Sequence, residues 1–169
     1  MMSARMRAGS GRPSNFHAAA IAAGTTPQTG LGAVEGRYRD AIATESGIRV
    51  TGSVDIDSEF MAAEPNANRW DYGIGVARGD AESACWVEPH PASSTSEVDV
   101  MLRKLAWLKQ KLGGAGFEQL RAMTHRTGRD GIAYRWLAQG AIHIRAGSRE
   151  AQRLAKAGLA MPSRRVMLP

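Results

Sequence analysis

One segment constrains the fold more than any other: the amphipathic run "SSTSEVDVMLRKLAWLKQKLGG", which stands between stretches that alternate with the two-residue period of strands. Val98, Met101, Leu102, Leu105, Leu108 and Leu112 recur at spacings of three and four, which gathers them into one apolar stripe on a helix. Ser94 or Ser96 offers an N-cap, with Glu97 or Asp99 three residues on as the partner of a capping box. Lysines crowd the far end, where the helix dipole favours cations, and Gly113 closes it. A long helix between strand runs works as a crossover that returns the chain to the same sheet and covers one face of it.

The strands on either side are legible from alternation. "GIRVTGSVDIDSEFMAAEP" alternates through Ile48, Val50, Val54, Ile56 and Phe60, with Gly52 marking a kink or bulge. "RWDYGIGVA" carries Tyr72, Ile74 and Val76; the turn "RGDAE" follows, and "SACWVE" returns beside it. Ahead of them, "AVEGRYRDAIAT" sets Val34, Tyr38, Ala41 and Ile42 at helical spacing, with Gly47 as a stop. Beyond the crossover, "FEQLRAMTHRTGRDG" reads as a short helix running into a basic turn, and "IAYRWLAQGAIHI" as a strand bent at Gly140 or a hairpin. "SREAQRLAKAG" is a helix capped by Ser148 and stopped by Gly158, and "RRVML" a last extended piece. The expected fold class is α/β: a mixed β-sheet of about four or five strands flanked by helices, in α-β-β-β-α-β-α order.

At 169 residues the chain suits one core. Residues 1–32 are rich in Gly, Ser, Thr, Pro and Ala, hold Arg5, Arg7 and Arg12, and contain no acid, so they read as a flexible basic arm ahead of a single α/β domain over 33–169. The lone Cys85 excludes an internal disulfide and has no zinc-site spacing around it. No apolar run approaches the roughly 18 residues of a membrane span, so no membrane partner is expected and the location expected is cytoplasmic. Lys plus Arg exceed Asp plus Glu by 22 to 16, a net +6 that favours a polyanionic partner. The glycines of "GLGAVEG" and "DYGIGVARG" lack the strand, phosphate loop and helix of a dinucleotide site, and Ser94 and Ser96 have no nucleophile elbow.

Chemistry concentrates at "WVEPHP". Asp71 opens one strand, and Glu88 lies seventeen residues on, near the end of the strand that returns, so a hairpin brings the two carboxylates to one edge of the sheet. Adjacent carboxylates repel, and a divalent cation or a shared proton relieves them. His90, two residues past Glu88, falls on the same strand face.

An aspartate followed by Glu-x-His, set in a strand meander ahead of a crossover helix, resembles the PD-(D/E)xK nuclease superfamily, whose fold is restriction-endonuclease-like. The resemblance covers residues 33–145. It implies a metal-dependent nuclease acting on DNA phosphodiesters, with Asp71, Glu88 and His90 catalytic. By it, Asp71 and Glu88 hold Mg2+, and Glu35 matches loosely the acid that the family's first helix sometimes adds. Three departures stand out. His90 occupies the lysine position without a fixed positive charge, Trp70 stands where proline is common, and Pro89 removes a backbone donor from the strand.

His125, Arg126 and Arg129 in "MTHRTGRDG" are the candidate nucleic-acid contacts, and an ordinary polar turn is the competing account of them. A homodimer or a protein partner stays open, as does RNA in place of DNA. The alternative function is a catalytically inactive nuclease fold serving as a basic nucleic-acid-binding or protein-assembly module.

Overall fold

The computed structural model describes residues 15–124 and 132–169. Its centre is a four-stranded mixed sheet in the order β2-β3-β4-β5, formed by β2 (Arg49–Asp55), β3 (Tyr72–Arg78), β4 (Ala81–Ala92) and β5 (Tyr134–Ile142). The first three strands are an antiparallel meander, and β5 lies parallel to β4. A parallel return needs a crossover. Here it consists of α4 (Ser96–Leu112) and α5 (Glu118–Thr124). A second, two-stranded parallel sheet joins β1 (Ile42–Thr44) to β6 (Val166–Leu168). The expected mixed α/β sheet flanked by helices is present.

Alternation along β4 sorts the interior into two layers. Ala84, Trp86 and Ala92 face a helical layer containing Val98, Met101, Leu105 and Leu108 of α4, together with Leu120 and Leu154. Cys85 and Val87 face the other layer, with Val34, Ile42, Tyr72, Ile74, Val166 and Leu168. Burying each large apolar side chain of the α4 stripe contributes about 1.5–3 kcal/mol, so the stripe holds α4 against the sheet. The four tryptophans all lie in the helical layer, as core rather than stacking surface.

Several local expectations differ from the structure. The helix expected over 33–44 is only α2 (Gly36–Arg39), because Ile42 and its neighbours form β1 against β6. The strand expected to reach Phe60 stops at Asp55, whose carboxylate accepts from Ser58 N and starts α3 (Ile56–Phe60). The anticipated irregularity at Gly52 is a shift in the β2–β3 register. At the start of α4, Thr95 is the N-cap with no side-chain cap bond, and the Ser94 and Ser96 hydroxyls bond each other at 2.6 Å. α6 (Arg149–Ala157) does have the Ser148 cap and the left-handed Gly158 stop.

Residues 15–32 also depart from a flexible arm. Asn15–Ala22 form α1, and Phe16, Ala19 and Ala20 are fully buried. The small-residue "HAAA" lacks a broad apolar face, but Gly75 of β3 lets Phe16 come close: a Cβ at Gly75 would collide with the Phe16 ring and the Thr51 hydroxyl. The Glu82 carboxylate accepts from Asn15 N at 3.1 Å and Phe16 N at 2.8 Å, satisfying the helix start from β4.

Candidate functional site

β4 does not stop at the carboxylate. It continues through Glu88, Pro89 and His90 to Ala92, paired with β5. On the other side, β3 begins at Tyr72 opposite Val87, so Glu88 and the residues after it extend past the end of β3. This accommodates Pro89. Trp86 N donates toward the β5 side, to Ala133 O, and alternation sends the Pro89 nitrogen the opposite way, past the end of β3 where no ladder donor is required.

Glu88 projects from the helical face of β4 and is only 1% exposed. Its two oxygens are both engaged. Oε2 accepts from Asp71 N at 2.7 Å, and Oε1 is in contact with Lys104 Nζ from α4. The same ammonium lies 3.9 Å from Asp71 Oδ1, so one cation serves both carboxylates. Asp71 is fixed from a second direction, since its carbonyl accepts from Ile56 N at 2.8 Å at the start of α3. That places Asp55 and Asp57 nearby, with Arg69 bonded to Asp57 at 2.8 Å.

Burial governs the charges. Desolvation lifts the Asp71 carboxyl to about 6 against the pull of Lys104. Desolvation, with the Asp71 charge second, lifts Glu88 to about 8 although Lys104 opposes it. Near neutral pH the pair therefore holds a proton as well as the lysine, as two carboxylates forced together must.

His90 shares the Glu88 face, and its Nε2 lies 2.5 Å from Glu97 Oε2 on the first turn of α4. The Trp136 indole donates to His90 O at 2.9 Å, tying the strand tip to β5. Glu35 is not brought to this site. It is paired with Arg37 at 3.0 Å, and its backbone N donates to the Tyr72 hydroxyl, which belongs to the opposite face of the sheet. His125, Arg126 and Arg129 lie outside the described residues.

Sequence reasoning missed Lys104, though a signal was present. It stands three residues after Met101 and four before Leu108, inside the apolar stripe, where a cation needs a partner on the sheet. It also missed Glu97, which was assigned only to a capping box.

As a donor set for a metal, two carboxylates suit Mg2+, which uses one or two protein carboxylates and retains waters. Asp71 and Glu88 fit that chemistry provided Lys104 releases Glu88. No group of three or more His, Cys, Asp and Glu side chains able to hold a metal is present among the described residues. No helix among the described residues is long and apolar enough to cross a membrane. No protein-family model, curated protein or solved structure matches this chain.

Proposed function

We propose that this chain is a divalent-metal-dependent nuclease acting on DNA phosphodiesters, with Asp71 and Glu88 as the metal-holding carboxylates and Lys104 as the fixed cation beside them. The observation that supports this is the convergence of Asp71, Glu88 and Lys104 at the point where β4 runs past the end of β3. The resemblance to PD-(D/E)xK nucleases leaves His90 in a place that calls for a permanent positive charge, and Lys104 supplies that charge from α4 instead. Mg2+, when bound, would neutralise the phosphodiester and position a water. Asp71 N fixes the orientation of the Glu88 carboxylate by its 2.7 Å bond, and release of Oε1 by Lys104 would present that oxygen to the metal. Lys104, freed from Glu88, is left beside Asp71 as a donor to a phosphate oxygen. His90, oriented by Glu97, serves on this face as the base or as a phosphate contact.

A second reading has its own support. Because Glu88 is buried and its oxygens are fully engaged, the carboxylates are already compensated without any metal. This favours a nuclease-like fold without catalysis, working as a basic nucleic-acid-binding or protein-assembly module.

Magnesium titration by calorimetry, beside plasmid incubation with and without metal, separates the two. The first reading expects heat of binding and plasmid nicking in the wild type, both abolished by Asp71→Asn with Glu88→Gln. It also expects nicking without loss of metal binding to disappear in Lys104→Met. A wild type that neither binds magnesium nor cleaves refutes the nuclease reading and leaves the second.

A further inference from the structure

Below the acid pair on the same face of the sheet, Lys109, Leu112, Arg121, Thr124 and Tyr134 line an open cavity of about 210 Å3. Sites for drug-sized ligands run about 300–1,000 Å3, so this one, open to solvent, has room for one nucleotide-sized unit rather than a whole dinucleotide cofactor. Among the described residues that line it, two are cations and none is an acid. Each cation is anchored by a carbonyl. Lys109 Nζ donates to Ala157 O at 2.6 Å and lies 5.5 Å from the centre of the Tyr134 ring; Arg121 Nη1 donates to Leu112 O at 2.9 Å. An ammonium has three donors and a guanidinium five, so both retain donors for an anion after these bonds are made. The Thr124 hydroxyl, which accepts from the Trp86 indole at 3.0 Å, and the half-buried Tyr134 ring make a floor that is part polar and part aromatic. Burial raises the Tyr134 hydroxyl pKa, so it stays a neutral donor.

Position gives the cavity its meaning. Lys109 follows Lys104 by five residues on α4, about 7.5 Å along the helix at 1.5 Å per residue. Tyr134 pairs with Trp86, two residues before Glu88, which is about 6.6 Å along β4 at 3.3 Å per residue. Both routes place the cavity roughly 7 Å from the acid pair, about the spacing of neighbouring phosphates along one strand. A charged mouth over an aromatic wall suits a phosphate carrying a base or sugar better than a bare anion.

We propose that this cavity seats one nucleotide unit of the DNA strand whose phosphodiester is held at Asp71, Glu88 and Lys104, its phosphate on Lys109 and Arg121 and its ring or sugar against Tyr134. The proposal rests on the nuclease reading for the identity of the strand, while the cavity and its charges stand independently of cleavage.

Fluorescence anisotropy with a short labelled single-stranded DNA tests it, in EDTA so that binding is read apart from chemistry. Lys109→Gln and Arg121→Gln are each expected to weaken binding about tenfold and to lower the slope of log affinity against log salt by about 0.7. Lys109→Glu is expected to weaken it further. Arg149→Gln, a cation at the start of α6, should leave affinity unchanged. Thymidine 5′-monophosphate should displace the oligonucleotide at concentrations where inorganic phosphate does not.

Thermal melting of each variant checks the fold, and Lys109→Arg, which keeps the charge, should retain most of the affinity. Unchanged affinity and salt slope in folded Lys109 and Arg121 variants would overturn the proposal, as would competition by inorganic phosphate equal to that of the nucleotide, or a wild type that does not bind the oligonucleotide. Plasmid nicking tells the two ideas apart. Pocket-dependent binding without nicking removes the nuclease reading alone, and nicking with pocket-independent binding removes this proposal alone.

Discussion

Replacing Glu88 with Gln should remove a pH dependence that the wild type carries. In the folded chain desolvation, aided by the Asp71 charge, raises this carboxyl from an ordinary value of 4.5 to about 8. The folded state therefore keeps a proton that the unfolded chain releases, and the stability tied to this proton is fully present below pH 4.5 and lost as pH rises through 8. The whole loss is on the order of 5 kcal/mol at ~1.4 kcal/mol per pH unit, and about 2 kcal/mol of it falls between pH 6 and 8. Asp71 loses its contribution lower down, between 3.8 and about 6, so the upper window isolates Glu88. For a chain of this size about 2 kcal/mol corresponds to a fall in Tm of roughly 4–8 °C. Gln at this position still accepts from Asp71 N, and Lys104, which is not fully enclosed, keeps Asp71 as a partner. Melting followed by circular dichroism at pH 6, 7 and 8 should show the decline in the wild type and a much flatter profile in Glu88→Gln. A wild-type Tm constant across this window, or a Gln variant that declines as steeply, would refute the argument that burial dominates the Glu88 charge.

Lys104→Met should cost about 3–5 kcal/mol at pH 9, where Glu88 is a carboxylate without its cation, and much less at pH 5, where it holds a proton; urea unfolding at the two pH values checks this, and equal costs would count against the ion pair. Glu82→Ala removes the acceptor of Asn15 N and Phe16 N and should destabilise by about 1–2 kcal/mol, with the loss of hydrogen-exchange protection concentrated in α1. Gly75→Ala should cost about 1–3 kcal/mol by driving a methyl into Phe16 and Thr51, whereas Gly36→Ala, with nothing within 4 Å of the new methyl, should be neutral or stabilising by up to about 1 kcal/mol; thermal melts of the pair distinguish packing from backbone effects.

The legible parts of this fold are those whose pattern is set by one partner. α4 shows its stripe because a single sheet face buries it, and β3 and β4 show their runs because the hairpin joins neighbours in sequence. α6 is legible from Ser148 to Gly158 because both ends are closed by local bonds. The short pieces were not. β1 is three residues long and takes its partner from β6, over 120 residues away, so nothing local distinguishes Ile42–Thr44 from the end of a helix. α1 was hidden for a related reason: its helix is made of alanines, and what docks it is one phenylalanine against a glycine of β3 and one carboxylate from β4. At the candidate site the sheet-borne residues were legible in sequence order, while the helix-borne partners were not. Lys104 and Glu97 meet Glu88 and His90 only through the crossover.

This division between sheet and helix also determines when the site comes into being. The hairpin alone places two carboxylates together, with a backbone N–H for one of them, and leaves their repulsion unrelieved. Relief arrives only when the α4 stripe docks, since the contacts that bury Met101, Leu105 and Leu108 are the ones that carry Lys104 to Glu88 and Glu97 to His90. Local loosening of α4 would therefore expose apolar surface and free the acid pair in the same motion. A ligand that draws Lys104 from Glu88 while α4 stays docked needs only a side-chain rotation, because the ammonium already lies between Glu88 and the more accessible Asp71. Lys104 is thus the side chain through which the docking of α4 compensates the charge of both sheet-borne carboxylates.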